Sequence, residues 1–214
     1  MLDVCEIFVS VQGESTLAGR LCAFTRLAGC NLRCAWCDTA YSYSPGIGTQ
    51  MSVDGIIGEI EKFSVKLVEI TGGEPLLQAD TAALCDELLR RGYEVMVETN
   101  GSLDIGAIPK GVRRIVDVKC PDSGSGGSFL VDNINYLDKN DEVKFVIASI
   151  NDACWAKEFC DLHNIPQKCT AIFSPVSASL PYDKLADWMV ENHLADIRLG
   201  LQLHKIIWGD KRGV

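Results

Sequence analysis

Short apolar runs recur along this chain at the spacing of β/α units, and that recurrence constrains the fold more than any other feature. Strand-like stretches are read at Glu6–Val11, Cys22–Ala28, Leu67–Thr71, Glu94–Glu98, Arg114–Lys119, Glu142–Ala148, Thr170–Phe173 and Asp196–Gln202. Several are nearly all apolar, as strands must be when both faces of a sheet are covered. Helix-like segments lie between them. Ser52–Phe63 opens on a serine cap and carries a stripe of Val53, Ile56, Ile57 and Ile60. Ala79–Arg91 carries Ala83, Leu84, Leu88 and Leu89 and stops at Gly92, and Asn151–His163 and Tyr182–Asn192 are patterned alike. Alternating β and α elements imply a mainly parallel sheet with right-handed crossovers. A complete eightfold barrel takes about 250 residues, more than the 214 present. The expected fold is therefore α/β: a truncated, open (β/α)6-type partial TIM barrel with mainly parallel strands, in a single domain over residues 1–214. One polar, glycine-rich loop interrupts the pattern at Pro121–Ser128.

Charge and composition narrow the partners. The net charge is −9, without a block of like charges, which argues against a nucleic-acid groove or an acidic membrane surface as partner. No run approaches the length of a membrane span, and the N-terminus lacks the basic and apolar regions of a signal peptide. With ten cysteines and no sign of a secreted disulfide scaffold, the expectation is a cytoplasmic chain with reduced thiols. Most of those cysteines sit in apolar stretches and read as small buried hydrophobes.

Three of them do not. Cys30, Cys34 and Cys37 form a C-x3-C-x2-C cluster directly after an apolar strand that closes on Gly29. Three thiols so close together read as a tripod around a metal centre with one position left open. Thiolates suit iron–sulfur centres and zinc. A structural zinc site needs a fourth ligand, and His163, His193 and His204 are not paired at a spacing that would provide one. In parallel β/α folds ligands bind beyond the carboxyl ends of the strands. The unusual loops gather there: the cysteine cluster, Thr71-Gly72-Gly73-Glu74-Pro75, Glu98-Thr99-Asn100-Gly101, Asp117-Val118-Lys119-Cys120-Pro121 and Ser174-Pro175-Val176.

The cysteine spacing, with Trp36 before the last thiol, resembles the signature of the radical S-adenosylmethionine (SAM) superfamily, and Gly72-Gly73-Glu74-Pro75 resembles its glycine-rich motif. Ser10-Val11-Gln12-Gly13-Glu14-Ser15, Cys37-Asp38-Thr39 and the C-terminal Leu201-Gln202-Leu203-His204-Lys205, Trp208 and Arg212-Gly213-Val214 are similar to the 7-carboxy-7-deazaguanine synthase family. The likeness implies a 4Fe–4S cluster on Cys30, Cys34 and Cys37, SAM on the open iron, and Mg²⁺ at Thr39. It implies reductive cleavage of SAM to a 5′-deoxyadenosyl radical that abstracts hydrogen from 6-carboxy-5,6,7,8-tetrahydropterin, which contracts to 7-carboxy-7-deazaguanine and loses ammonia. It assigns Gly73, Lys119, Cys120, Pro121, Ser174, Pro175 and Val176 to the cofactor, and Val11, Gln12, Gly13, Arg26, Thr71 and Val214 to the substrate. Where the family pattern leads one to expect serine, this chain has Cys120. An electron donor such as flavodoxin or ferredoxin and a homodimer are further implications.

Taken alone, several of these residues have plainer readings. Gly72 and Gly73 could be only a tight turn, Thr71 a β-former, Asp38-Thr39 a turn or helix cap, Glu14 a loop carboxylate, and Val214 a frayed end. Arg26 is sharper, because it stands in an apolar strand near its carboxyl end, and a guanidinium fork is the group that binds a carboxylate bidentately. Two other functions share parts of the pattern: a radical SAM activase that installs a glycyl radical on a partner enzyme, and a non-catalytic iron–sulfur or zinc module.

Overall fold

A computed structural model describes residues 1–209 and 211–214. One sheet organises the chain. Its strands are β1 (Leu2–Val11), β2 (Leu21–Leu27), β3 (Thr49–Met51), β4 (Leu67–Gly72), β5 (Glu94–Thr99), β6 (Arg113–Asp117), β7 (Glu142–Ile147), β8 (Thr170–Pro175) and β9 (Ile197–Leu199). Their order is β3-β1-β2-β4-β5-β6-β7-β8-β9, so the sheet runs from β3 at one edge to β9 at the other without closing. From β2 to β9 every pairing is parallel, and only β1 pairs antiparallel, with β2 and β3. The open, mainly parallel α/β barrel read from the sequence is the architecture found.

The helices are α1 (Val53–Glu61), α2 (Thr81–Arg90), α3 (Ile150–His163), α4 (Ile165–Lys168), α5 (Tyr182–Glu191) and α6 (Leu203–Trp208). Ser52 caps α1 by accepting from the Gly55 N–H at 3.1 Å, and Ile56, Ile57 and Ile60 bury its inner stripe. Ser149 caps α3 in the same way, and Asn164 ends it in the left-handed conformation. Two crossovers lack an α-helix. The β5–β6 connection is short and rich in Gly and Pro, and holds only a 3-10 turn at Ile105–Ala107. The β6–β7 connection, which contains the polar loop, holds 3-10 turns at Pro121–Ser123 and Val131–Asn135. Among the described residues no helix is long and apolar enough to cross a membrane.

Strand alternation sorts the side chains into two layers. Ala23, Leu27, Val68, Ile70, Val95, Val97, Val116, Val143, Phe145 and Phe173 face the helices and form the main core. The alternate positions face inward. At the amino ends these are Cys22, Leu67, Met96 and Ile115, a small apolar plug joined by Leu17 and Phe24. Nearer the carboxyl ends they become polar: Arg26, Glu69, Thr71, Glu98, Asp117 and Lys144 line a cavity instead of a core.

Candidate active site

The cavity has a volume of about 600 Å³, within the range of small-molecule sites. Cys30, Cys34 and Cys37 line it, all three unpaired and partly exposed. Their loop is held by the backbone of its neighbours. The Gly29 N–H donates to Ser42 O at 2.8 Å, and the Cys30 N–H to Tyr43 O at 3.0 Å. The Glu74 N–H donates to Gly29 O at 2.8 Å, and the Ala35 N–H to Ser123 O at 2.9 Å. Asn31 bridges to the loop after β5 through Asn100 and Ser102. Burial pushes the Cys30 thiol up. Burial also works against the charge of Lys119, but Asp117 outweighs it and keeps this ammonium charged beside the cluster loop.

The two glycines before Glu74 are required by the join of β2 and β4. A Cβ on Gly72, at φ +144°, would fall 2.2 Å from Leu27 O, and one on Gly73 would fall 2.1 Å from Gly29 O. What Gly73 lets approach is therefore the cluster loop itself. Glu74 completes the join: fully buried, it accepts from the Leu76 N–H, the Thr99 hydroxyl and the Asn100 N–H at 2.7–2.9 Å. The sequence reading gave Glu74 no separate role.

Arg26 on β2, which lines the same cavity, lies beside Thr71 on β4 in the parallel register. Its Nε donates to Glu6 Oε1 at 2.8 Å, and among the described residues its two terminal nitrogens meet no acceptor. Glu6 also accepts from the Tyr41 hydroxyl at 2.7 Å and from Arg212 Nε at 3.1 Å. Arg212 in turn lies over the Tyr41 ring at 3.7 Å. Val11, Gln12, Gly13 and Val214 line the cavity as well. The Gln12 amide is spent internally: Nε2 donates to Glu69 at 2.9 Å, and Oε1 accepts from the Glu14 and Ser15 N–H groups. Gly13 makes room for α6, since a Cβ there would fall 2.4 Å from His204 Nδ1, and its carbonyl accepts from the Leu203 N–H at 3.0 Å. Helix α6 closes the mouth through His204 and Lys205, with Lys205 paired to Asp38 at 3.2 Å.

The remaining sites read from the sequence divide. Thr39, Gly73, Lys119 and Val176 line the cavity; Cys120, Pro121, Ser174 and Pro175 do not. The Cys120 side chain is fully buried in the helix-facing core. Ser174 Oγ is buried without a hydrogen-bond partner, in the space that the bare Gly200 leaves open. Not singled out from the sequence are Glu69, Glu98 and Lys144. Glu69 is the one charged residue of β4, the signal that marked Arg26, whereas Glu98 shares β5 with Glu94 and Lys144 shares β7 with Glu142.

The cofactors implied by the cysteine motif fit these residues. Among the described residues no three His, Cys, Asp or Glu side chains converge on one ion position. A cubane takes each thiolate on a different iron, so three unpaired cysteines on one cavity can hold it. Thr39 donates its hydroxyl proton to Asp38 Oδ1 at 2.8 Å, which leaves lone pairs for a hard cation. Asn100, Lys119 and Val176 offer an amide, a cation and an apolar wall on the same cavity.

Comparison with known proteins agrees with this geometry. Residues 25–122 match the family model of the Radical SAM superfamily. The 7-carboxy-7-deazaguanine synthase of Koribacter versatilis is 45% identical over 97% of both chains. That of Chlorobaculum tepidum is 44% identical over 100% of this chain and 97% of its own. The chain belongs to the 7-carboxy-7-deazaguanine synthase family. The crystal structure of QueE from Escherichia coli covers 94% of this chain and 93% of its own with a TM-score of 0.77 at 22% identity, which shows the shared fold. Streptococcus suis SuiB matches 81% of this chain and 46% of its own with a TM-score of 0.54. As a 7-carboxy-7-deazaguanine synthase family member the chain is a radical SAM enzyme, and the family's cofactors are a 4Fe–4S cluster, SAM and Mg²⁺. This membership replaces both the activase and the non-catalytic module readings.

Proposed function

We propose that residues 1–214 form one radical SAM domain whose cavity of about 600 Å³ takes SAM beside the cysteines and 6-carboxy-5,6,7,8-tetrahydropterin beside Arg26. The product is 7-carboxy-7-deazaguanine, with loss of ammonia. The observation that carries this reading is the half-free guanidinium of Arg26 in the same cavity as three unpaired cysteines. When bound, the cluster and SAM supply the reductive carbon–sulfur cleavage and the hydrogen-abstracting radical.

The chain's own residues bind, orient and exclude water. Cys30, Cys34 and Cys37 would hold the cluster, and Thr39 would offer its hydroxyl oxygen to Mg²⁺. Arg26 directs its terminal nitrogens at the substrate carboxylate, with Glu6 and Tyr41 fixing the plane of the fork. Thr71 stands beside it. Val11, Gln12 and Gly13 shape the pterin end, Gln12 acting through the Glu14 backbone and Glu69. Val214 lines the same wall. Lys119 and Val176 reach SAM, Gly73 sets the height of the cluster loop, and Cys120, Pro121, Ser174 and Pro175 hold those segments from behind. Helix α6 keeps water from the radical.

In the cell, a carrier such as flavodoxin or ferredoxin delivers the electron, and the chain works as a cytoplasmic homodimer. Exposed Leu199, Ile206 and Ile207 on β9 and α6 support a second copy there, and light scattering of the reconstituted enzyme tests it. The substrate assignment is tested by incubating the anaerobically reconstituted, reduced enzyme with SAM and carboxytetrahydropterin. Deazaguanine with recovery of SAM supports the reading; SAM cleavage without deazaguanine overturns it.

A further inference from the structure

Arg26 shares its anchor with a second arginine. Glu6 faces Arg26 in the antiparallel pairing of β1 with β2 because the register shifts between Val4 and Glu6. Val4 pairs with Leu27 and Glu6 with Arg26, so Cys5 is the extra residue of a bulge; regular pairing would set Cys5 opposite Arg26. The carboxylate brought into register holds two guanidinium groups at once. Oε1 accepts from Arg26 Nε at 2.8 Å, and Oε2 accepts from Arg212 Nε at 3.1 Å. Tyr41 braces the set: its hydroxyl donates to Oε1 at 2.7 Å, Arg212 lies over its ring at 3.7 Å, and Arg26 stands 6.0 Å from the same ring.

A guanidinium tied through Nε alone keeps its two terminal nitrogens for another acceptor. Among the described residues the terminal nitrogens of Arg212, like those of Arg26, donate no hydrogen bond. Arg26, Tyr41 and Arg212 line the cavity, whereas Glu6 does not, so the carboxylate stands behind two forks. Two guanidinium groups against one carboxylate leave one positive charge. Asp38, which also lines the cavity, does not cancel it, because Lys205 is paired to it at 3.2 Å. What fits is one negative charge with two acceptor oxygens, a carboxylate.

We infer that Arg212 is a specificity-determining residue, which with Arg26 forms a two-armed clamp on the substrate carboxylate, both arms aligned by Glu6. Helix α6 before it buries no residue, so hydrogen bonds and ion pairs, not a core, seat this end of the chain. The carboxylate therefore draws segment 211–214 onto the cavity, and a pterin without one leaves two like charges on a single counter-charge. Arg212 is 56% exposed against 17% for Arg26, so its arm is the weaker, worth about 5-fold in affinity.

This inference rests on the carboxytetrahydropterin reading, and its test separates the two. The probes are carboxytetrahydropterin and tetrahydropterin without the carboxyl group, titrated anaerobically onto the cluster-loaded, unreduced enzyme with SAM and Mg²⁺. Wild type should prefer the carboxylated ligand. Arg212→Gln should lose about 5-fold in affinity for it and none for tetrahydropterin, and Arg212→Lys, which keeps the charge without the fork, should recover only part. Glu6→Gln should also lower the preference, although it raises the net positive charge of the site, because one amide oxygen cannot align two Nε donors. A merely structural role for Arg212 would weaken both ligands alike. An Arg212→Gln enzyme that keeps the wild-type preference thus overturns the clamp, as does a Glu6→Gln enzyme that prefers the carboxylate more strongly than wild type. A wild-type enzyme without any preference overturns the substrate reading instead.

Discussion

Arg26 and Glu14 show how single side chains divide the labour of the cavity. Arg26 already spends Nε on Glu6, so what remains for a ligand is the planar pair of terminal nitrogens. Lysine in its place offers a point charge without the fork. Arg26→Lys should weaken carboxytetrahydropterin binding by about 1.5–3 kcal/mol, the worth of a charged hydrogen bond, and leave uncoupled SAM cleavage largely intact. Equilibrium titration checks it, and unchanged affinity would remove the carboxylate role. Glu14 and Glu69 make opposite contributions to stability. Burial raises Glu14, but Lys144 outweighs it and holds the carboxyl at about 2, below its ordinary 4.5, so its stabilisation is present above 4.5 and is lost as pH falls toward 2. Glu69 is raised by burial, then by the charge of Glu98, to about 8, so the native state keeps a proton that the unfolded chain gives up near 4.5, and stability falls as pH rises from 4.5 to 8. Melting curves across pH should therefore lose part of their acid slope in Glu14→Gln and part of their alkaline decline in Glu69→Gln. Curves parallel to wild type would contradict both assignments.

Among the elements, the join of β2 and β4 is the most demanding. A methyl on Gly73 meets the Gly29 carbonyl, a backbone atom pinned by its own hydrogen bond from Glu74. Gly73→Ala should cost about 1–3 kcal/mol and lower the iron taken up on reconstitution. Gly13→Ala meets a side chain, His204, which can turn away. That variant should fold with less loss, assemble a full cluster, and show its defect in substrate affinity, because α6 no longer seats. Iron content and melting temperature separate the two, and equal effects would contradict the distinction. The main strands were legible because their apolar runs exist to be covered on both faces. Strand β3 was not, since Thr49 and Gln50 are exposed and Met51 only partly covered. Helix α6 was not, since it buries no residue and so shows no stripe.

Across the whole molecule, one alternation explains both core and site. Outward positions of the parallel strands are mostly apolar, with Thr25, Thr99 and Arg114 as buried exceptions, while inward positions change from plug to polar wall toward the carboxyl ends. The cysteine tripod and Arg26 could be read in the sequence because their chemistry is incompatible with simple burial. Glu69 carries the same mark, but Glu98 and Lys144 share their strands with Glu94 and Glu142, and their pairing joins β5 to β7 across β6, a contact no sequence spacing shows. Cys120 and Ser174 show the converse: Lys119 and Val176 beside them line the cavity, yet Cys120 is buried in the main core and Ser174 is covered by Gly200. The account depends on three thiolates leaving one iron open toward this cavity. The electron paramagnetic resonance spectrum of the reduced, reconstituted enzyme, recorded with and without SAM, tests that dependence most directly. The account predicts a changed cluster signal on adding SAM in wild type, and loss of both the cluster signal and SAM cleavage in Cys30→Ala. A wild-type signal indifferent to SAM, or intact cleavage in the Cys30→Ala enzyme, would contradict it.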